Sequence, residues 1–512
     1  MGHGGRTQVR RTRDGRTPIG RAEVGPVDAG RAQADRGAAL MKDGKLDEAI
    51  GAYASAVALA PLHAGEWLAE ANFGMARVLR DRGDDGAAAA ALKQAIALRP
   101  DWSNAHSSLG MVLKDLGRLD DALRCHRRAL EIDPRNPAAL TNLGTALHAC
   151  DAFDAAIAAH REAIAIAPDR VEPYSNLARV LHDLGRLDEE RSLHEQAVAC
   201  DPTNATARFN RATAMLLDGD LAGGFAEYEW RRKRGVLSAA MRRFEEPEWQ
   251  GEPLAGRTIL LHAEQGLGDT LQFVRFVPAV AADAAAVVLQ VQAPLVALLA
   301  QAFPGVRVIV AGEAAPPFDW HLPLMSLPFR LGTTLATLPA DVPYLFPASR
   351  KLAAWRERFA ARPGLKVGLV WAGNPKHRFD QRRSIPLAAL LPHLPQEGVA
   401  LYSLQKDPRP KDRASLAERP DIVDLSDALG DFSDTAAAVA ALDLVVTVDS
   451  AVAHLAGALA RPTWLLTPHA LDWRWLRDRA DSPWYPTMRL IRQSRARDWS
   501  DVLARLDEGL RD

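Results

Sequence analysis

Four prolines, Pro100, Pro134, Pro168 and Pro202, stand 34 residues apart, and no other feature limits the fold of this chain so strongly. The same step recurs at Leu109, Leu143 and Leu177, at Ala129, Ala163 and Ala197, and at Gly110 and Gly144 with Ala178 and Ala212 behind them. Gly117, Gly185 and Gly219 fall at a mid-repeat turn, with Asp151 in the place of the missing glycine. Counting back from Pro61 recovers Gly37, Gly44, Ala49, Tyr53 and Ala56, and the longer gap from Pro61 to Pro100 places a five-residue insertion in the second repeat. A period of this length predicts one pair of helices per repeat. Small residues at 110 and 129 let the helices approach closely, the glycine serves the turn, and the proline ends the second helix.

This pattern resembles the tetratricopeptide repeat family, with about six repeats over residues 31–238 and the sixth degenerate around Phe225-Ala-Glu-Tyr228. The resemblance implies a right-handed superhelix with a concave groove for peptide. His126, His160 and His194 share one repeat position, and His148 and His182 another. Packed helices stand about 10 Å apart, too far for equivalent imidazoles to share a metal ion. These histidines therefore read as packing or rim positions. Asn142, Asn176 and Asn210 also share a position, with Ser108 one repeat earlier. They fit either solvent-facing polar sites or a groove lining. In repeats fused to protein glycosyltransferases, similar asparagines grip peptide backbone, and an amide can both donate and accept there.

A chain of 512 residues accommodates roughly three domains at about 150 residues each. Lys and Arg total 63 against 64 Asp and Glu, which argues against a protein that coats nucleic acid, since that needs a clustered basic excess. A local basic groove stays open. Three cysteines, Cys125, Cys150 and Cys200, with no CxxC pair, fit a reducing compartment and suggest the cytoplasm. Residues 1–36 carry eight arginines and no apolar core of a signal peptide, so 1–30 reads as a disordered basic tail. No transmembrane helix is expected, because even the apolar stretch 284–303 is broken by Gln290, Gln292 and Pro294.

Beyond residue 240 the period stops. A Pro- and charge-rich linker, 242–253, precedes β-branched runs that alternate with amphipathic stretches. Strands are predicted at 258–262, 286–291, 307–311, 366–372, 399–404, 444–449 and 463–467, with helices at 270–282, 294–303, 350–361 and 500–510. This rhythm predicts doubly wound parallel sheets, divided near 341–350 into two Rossmann-like halves. Ligands of such sheets lie beyond the carboxyl ends of strands, and three loops there carry chemistry. The first is Glu264-Gln-Gly-Leu-Gly-Asp-Thr270, with Asp269 opening the next helix. The second, 372–384, holds Asn374, Lys376, Arg383 and Ser384 among four cations. The third runs Val448-Asp-Ser-Ala-Val-Ala-His454, where Asp449 and Ser450 lead into a helix whose N-terminus suits an anion. Taken singly, Asp269 reads as an N-cap, the cationic loop as solvated and His454 as structural.

Taken together, the three loops resemble those of bacterial glycosyltransferases of the heptosyltransferase-related group. Trp249-Gln-Gly-Glu-Pro253, Arg383-Ser-Ile-Pro386, Ser403-Leu-Gln-Lys406 and Ser482-Pro-Trp-Tyr-Pro486 extend the likeness to its tetratricopeptide-fused members. The resemblance implies a GT-B fold after an all-α repeat solenoid, with segments 239–348 and 349–512 as its halves and a final helix crossing back over the first. It further implies inverting transfer from a nucleotide-sugar, with no metal or other cofactor. Asp269 would be the general base. Gly268, Asn374, Lys376, Arg383, Ser384, Asp449, Ser450 and His454 would hold the donor, with Asp449 chiefly shaping the turn. Asn142, Asn176 and Asn210 would engage a protein, peptide or glycan acceptor. Ala451 stands where the group often has glycine. Trp473, Trp475, Trp484 and Tyr485 read as packing beneath the final helix. The rival reading is a scaffold whose repeats bind a partner while the α/β region is catalytically silent.

Overall fold

The period becomes helix pairs in the computed structural model, which describes residues 26–59, 65–235, 244–376 and 380–511. The chain forms two compact units, Met1–Ile166 and Ala167–Asp512. In the first, α1 (Pro26–Lys42) packs on α2 (Leu46–Leu59), α3 (Gly65–Asp81) on α4 (Asp85–Leu98), α5 (Ser103–Asp115) on α6 (Leu119–Ile132), and α7 (Pro137–Ala149) on α8 (Phe153–Ile166). Helix α1 begins inside the segment read as a tail, whose first 25 residues lie outside the described ones. Helix α3 has 17 residues against 13 in α5, in the repeat expected to carry the insertion. Asp151 adopts φ 61° where its neighbours use glycine, a conformation that a short polar side chain tolerates.

Two of the repeat histidines, His126 and His160, are packing residues, whereas His182 and His194 both approach Glu190, at 2.9 and 3.3 Å. His126 is fully buried with neither ring nitrogen hydrogen-bonded among the described residues. Burial first, then the charge of Lys114, lowers its pKa to about 4, so the ring is neutral. It rests on Gly110, where an added Cβ would come within 2.5 Å of the ring, and His160 meets Gly144 in the same way. Gly110→Ala is therefore expected to destabilise the first unit by about 1–3 kcal/mol, as overpacking does. Urea unfolding of Gly110→Ala and of Gly110→Ala/His126→Ala checks this, since the double variant removes the clash and should lose less than the two single changes combined.

In the second unit α9 (Val171–Asp183) pairs with α10 (Leu187–Cys200), and α11 (Ala205–Leu217) with α12 (Leu221–Tyr228). Two parallel sheets follow. The first has the order β3 (Arg307–Val310), β2 (Ala286–Val291), β1 (Thr258–His262), β4 (Trp320–Pro323). The second has β10 (Met488–Arg492), β9 (Thr463–Thr467), β8 (Leu444–Val448), β5 (Leu365–Val370), β6 (Val399–Ser403), β7 (Val423–Asp424). Read from β7, this is the doubly wound order 3-2-1-4-5-6, and the first sheet has the same opening order. Strand order reverses beside β1 in one sheet and between β5 and β8 in the other. Those are the places where such sheets open a crevice at their carboxyl ends.

Three expectations change. The helix Ser500–Arg511 buries Val502, Leu503, Leu506 and Leu510 on the second sheet with Leu391 and Ile491, rather than crossing back over the first. Trp473 and Trp484 do not lie beneath it. They share a core with Phe273 and with Phe225 of α12, whose ring meets Trp473 edge-on at 5.7 Å. The stretch 242–253 is not a free linker in its described part: Trp249 is buried and hydrogen-bonds through its backbone to His321 of β4. No helix among the described residues is long and apolar enough to cross a membrane.

Candidate functional site

The three loops follow β1, β5 and β8, the strands that flank the two reversals, so the topology brings their chemistry together. The helix Leu267–Phe273 starts from Gly266, whose N–H donates to Asp269 Oδ2 at 2.8 Å. An Asp at this third helical position serves the free N–H groups and the positive end of the dipole. Gly268 lies against the helix Ala451–Ala458, and a Cβ there would fall 2.9 Å from His454. Glycine is what allows the first loop to approach the third this closely. Tyr344, in the segment between the sheets, donates from its hydroxyl to Leu271 O and from its N–H to Ala458 O, tying the two helices together.

His454 is buried, stacks on Trp475 at 5.3 Å and has Nδ1 2.9 Å from the Tyr485 hydroxyl. Burial, then the charges of Arg474, Arg275 and Arg383 against Asp472, lowers its pKa to about 3. A neutral imidazole can meet an anion as a hydrogen-bond donor, not as a cation. Asp449 is pushed up to about 6, first by desolvation and then by the charge of Asp472, with Arg383 and Arg474 pulling the other way. Ser450 starts the helix without capping it by its side chain, and its hydroxyl instead sits 3.1 Å from Thr447 Oγ1.

Arg383 ends the short helix Asp380–Arg383. Its guanidinium lies over Gly373, where a Cβ would stand 2.7 Å from Nε and from one terminal nitrogen. Its Nε is buried with no hydrogen-bond partner among the described residues. Asp380 anchors the turn by accepting from the Ser384 hydroxyl at 2.9 Å and from Arg409, while Ser384 also accepts from Gly373 N–H. Next door, Arg382 donates to Asp183 of α9 at 2.6 Å, so the fifth repeat holds the cationic loop. Asn374 and Lys376 are exposed, and a local turn joins them, Lys376 N–H donating to Asn374 Oδ1. His377, Arg378 and Phe379 of this loop lie outside the described residues.

Gly268, Asp269, Arg383, Asp449, Ser450 and His454 thus gather where the two sheets meet, while Ser384 supports them from behind. The three repeat asparagines are not among these residues. Asn142, in the first unit, donates to Ser107 Oγ at 2.9 Å. Asn176 accepts from Arg179, and Asn210 is half-buried on α11. Sequence reasoning missed Gly373, Asp380, Asp472 and Arg474, and also Arg231. No group of three or more potential metal ligands occurs among the described residues.

Tetratricopeptide repeat families match residues 103–169 and 174–200. Protein FlbA of Caulobacter vibrioides is 30% identical over 337 residues, covering 60% of this chain and 55% of that protein. The chain thus spans about half the length of this curated relative. Sixty per cent of the chain is more than everything up to residue 238, so the likeness reaches into the α/β region. Among solved structures, a thermophilic TPR protein of Thermus thermophilus covers 37% of this chain at 24% identity and TM-score 0.33, with all of that chain matched. A tetratricopeptide repeat protein of Parabacteroides merdae covers 39%, with 78% of that chain, at 15% identity and TM-score 0.33. The α-helical part is a tetratricopeptide repeat array, the kind of surface that binds protein partners.

Proposed function

We propose that this protein is a glycosyltransferase of GT-B architecture, transferring a sugar with inversion from a nucleotide-sugar to an acceptor selected by the repeats. The observation that carries this reading is that the loop of Asp269 packs through Gly268 against the helix opening at Ser450-Ala451, with the charge of Arg383 acting on Asp449, at the reversal points of two parallel sheets. The acceptor hydroxyl or amide attacks the anomeric carbon from the face opposite the leaving group and gives its proton to Asp269. The bond from that carbon to the phosphate of the nucleotide breaks, and Arg383 and the helix N-terminus take up the released charge. His454 adds a neutral donor, and no step needs a metal ion. The repeats present a protein, a peptide or a glycan, with Asn142, Asn176 and Asn210 as candidate backbone clamps.

A scaffold reading, in which the repeats bind a partner and the α/β region is silent, is favoured by one observation: both oxygens of Asp269 already have donors. Thermal unfolding with UDP-, GDP-, ADP- and CMP-activated sugars separates the two. A donor at a hundredfold excess over its Kd stabilises by about 2.7 kcal/mol, and slow hydrolysis of the same donor marks an active enzyme. No shift and no hydrolysis with any of them would leave the scaffold.

A further inference from the structure

We propose that Arg474 is the positioning residue for Asp269, a guanidinium sent from the turn beyond β9 to aim a carboxylate in the helix that follows β1. This rests on the glycosyltransferase reading and assigns Arg474 no contact with donor or acceptor. Arg474 lies in the turn Trp473–Trp475 and is 8% exposed. Three acceptors surround its planar fork. One terminal nitrogen donates to Asp269 Oδ1 at 2.5 Å, the other to Asp472 Oδ1 at 2.9 Å, and Nε to Gln272 Oε1 at 2.9 Å. Asp472 Oδ1 also accepts from the backbone N–H of Arg474, and the guanidinium lies 4.3 Å over the Trp473 ring.

Those contacts leave the guanidinium little freedom, so it fixes whatever it holds. Asp269 is held at both oxygens, Oδ2 by its own loop through Gly266 N–H and Oδ1 by a group 205 residues away in the turn beyond β9. Each oxygen has a second lone-pair direction for the incoming proton. Gln272, one turn along the helix from Asp269, receives Nε, so Arg474 fixes helix and carboxylate together. Lysine cannot substitute, because a single ammonium does not reach three acceptors spread around a plane.

The experiment uses the full chain and whichever of UDP-N-acetylglucosamine, GDP-mannose, ADP-heptose and CMP-sialic acid it hydrolyses fastest. Arg474→Gln is expected to lower kcat by about a hundredfold, the effect of misplacing a reacting group by roughly an ångström. The donor KM should stay within about threefold, because Arg383 and the helix at Ser450 are untouched. Millimolar guanidinium should restore part of that kcat in Arg474→Gly, and Arg474→Lys should recover less than the rescued glycine variant. A purely structural role would raise KM, lower Tm and leave guanidinium without effect, and that pattern overturns the proposal. So does a kcat in Arg474→Gln equal to wild type. If Arg474→Gln does not fold, an undiminished kcat in Arg474→Lys overturns it alone. A wild-type protein that hydrolyses none of the four donors overturns the glycosyltransferase reading and this proposal together.

Discussion

Arg231→Met should destabilise the Ala167–Asp512 unit by about 3–5 kcal/mol, the cost of removing one partner from a buried ion pair. Arg231 is 1% exposed and lies in the turn Glu229–Lys233 directly after the last repeat helix. It donates to Glu264 at 2.6 and 3.0 Å, to Glu229 at 2.7 Å, to the Ser326 hydroxyl at 2.8 Å and to Tyr228 O. Burial pushes the Glu264 carboxyl up, and the Arg231 charge beside it works against that push. Methionine fills the volume and removes the charge, which leaves Glu264 to take up a proton or admit water. Because Glu264 opens the loop that ends at Asp269, the first loop should loosen along with the fold. Differential scanning calorimetry should show a fall in Tm of several degrees in the transition of the second unit. Arg231→Met/Glu264→Gln should recover a good part of the loss, since the uncompensated carboxylate is then gone. Equal instability in the single and double variants would mean that packing around Arg231, and not the pair, is what matters.

Arg231 also shows why only some of this site could be read from the chain. The repeats were legible because a period multiplies its signal: prolines at five repeat ends agree with small residues and turn positions on the same step. Strands β1, β2 and β9 were legible to the residue because parallel strands with all but one residue buried read as runs such as Thr258-Ile-Leu-Leu-His262 and Thr463-Trp-Leu-Leu-Thr467. Strand β4, Trp-His-Leu-Pro, and strand β10, Met-Arg-Leu-Ile-Arg, were missed. The first is four residues long and ends in proline, and the second is an edge strand whose arginines break the run. The helix expected at 270–282 begins three residues earlier and is interrupted by a tighter turn at Val274–Phe276 before Pro278.

The chemistry followed the same division. Asp269, Arg383 and Asp449 lie in the loops that follow β1, β5 and β8, where the sheet topology directs the search for a ligand site. Arg474 sits between two tryptophans, and its partners Asp269 and Gln272 are more than 200 residues away in sequence. Arg231 likewise reaches Glu264 and Ser326 from the edge of a degenerate repeat. Pairings of that kind have no local pattern. The join between repeats and sheets was hidden for a related reason: Leu216, Leu221, Phe225 and Tyr228 keep ordinary helical spacing while burying against Phe273 and Trp473.

Asp269→Asn should reduce sugar transfer by about 10²–10⁴-fold, the contribution of a positioned general base, with the nucleotide-sugar still binding. Asparagine keeps the shape of aspartate but cannot accept a proton from the acceptor. The substitution also has a structural cost. Asp269 accepts from Gly266 N–H at one oxygen and from Arg474 at the other, whereas an amide has one oxygen and one N–H₂, so one donor is left facing another. That mismatch should cost about 1–3 kcal/mol. The two effects separate by measurement: a melting curve reads the lost hydrogen bond, and transfer under donor saturation reads the lost base. Asp269→Glu keeps the carboxylate and moves it by a methylene, so it should retain more stability than Asp269→Asn yet still transfer slowly, because reach to the acceptor matters as much as charge. If Asp269→Asn loses only stability and transfers at the wild-type rate, Asp269 is a helix-start residue and the base lies elsewhere. Asp449 would then be the next carboxyl to test, because burial and the nearby Asp472 hold its pKa at about 6, close enough to neutrality to exchange a proton during turnover.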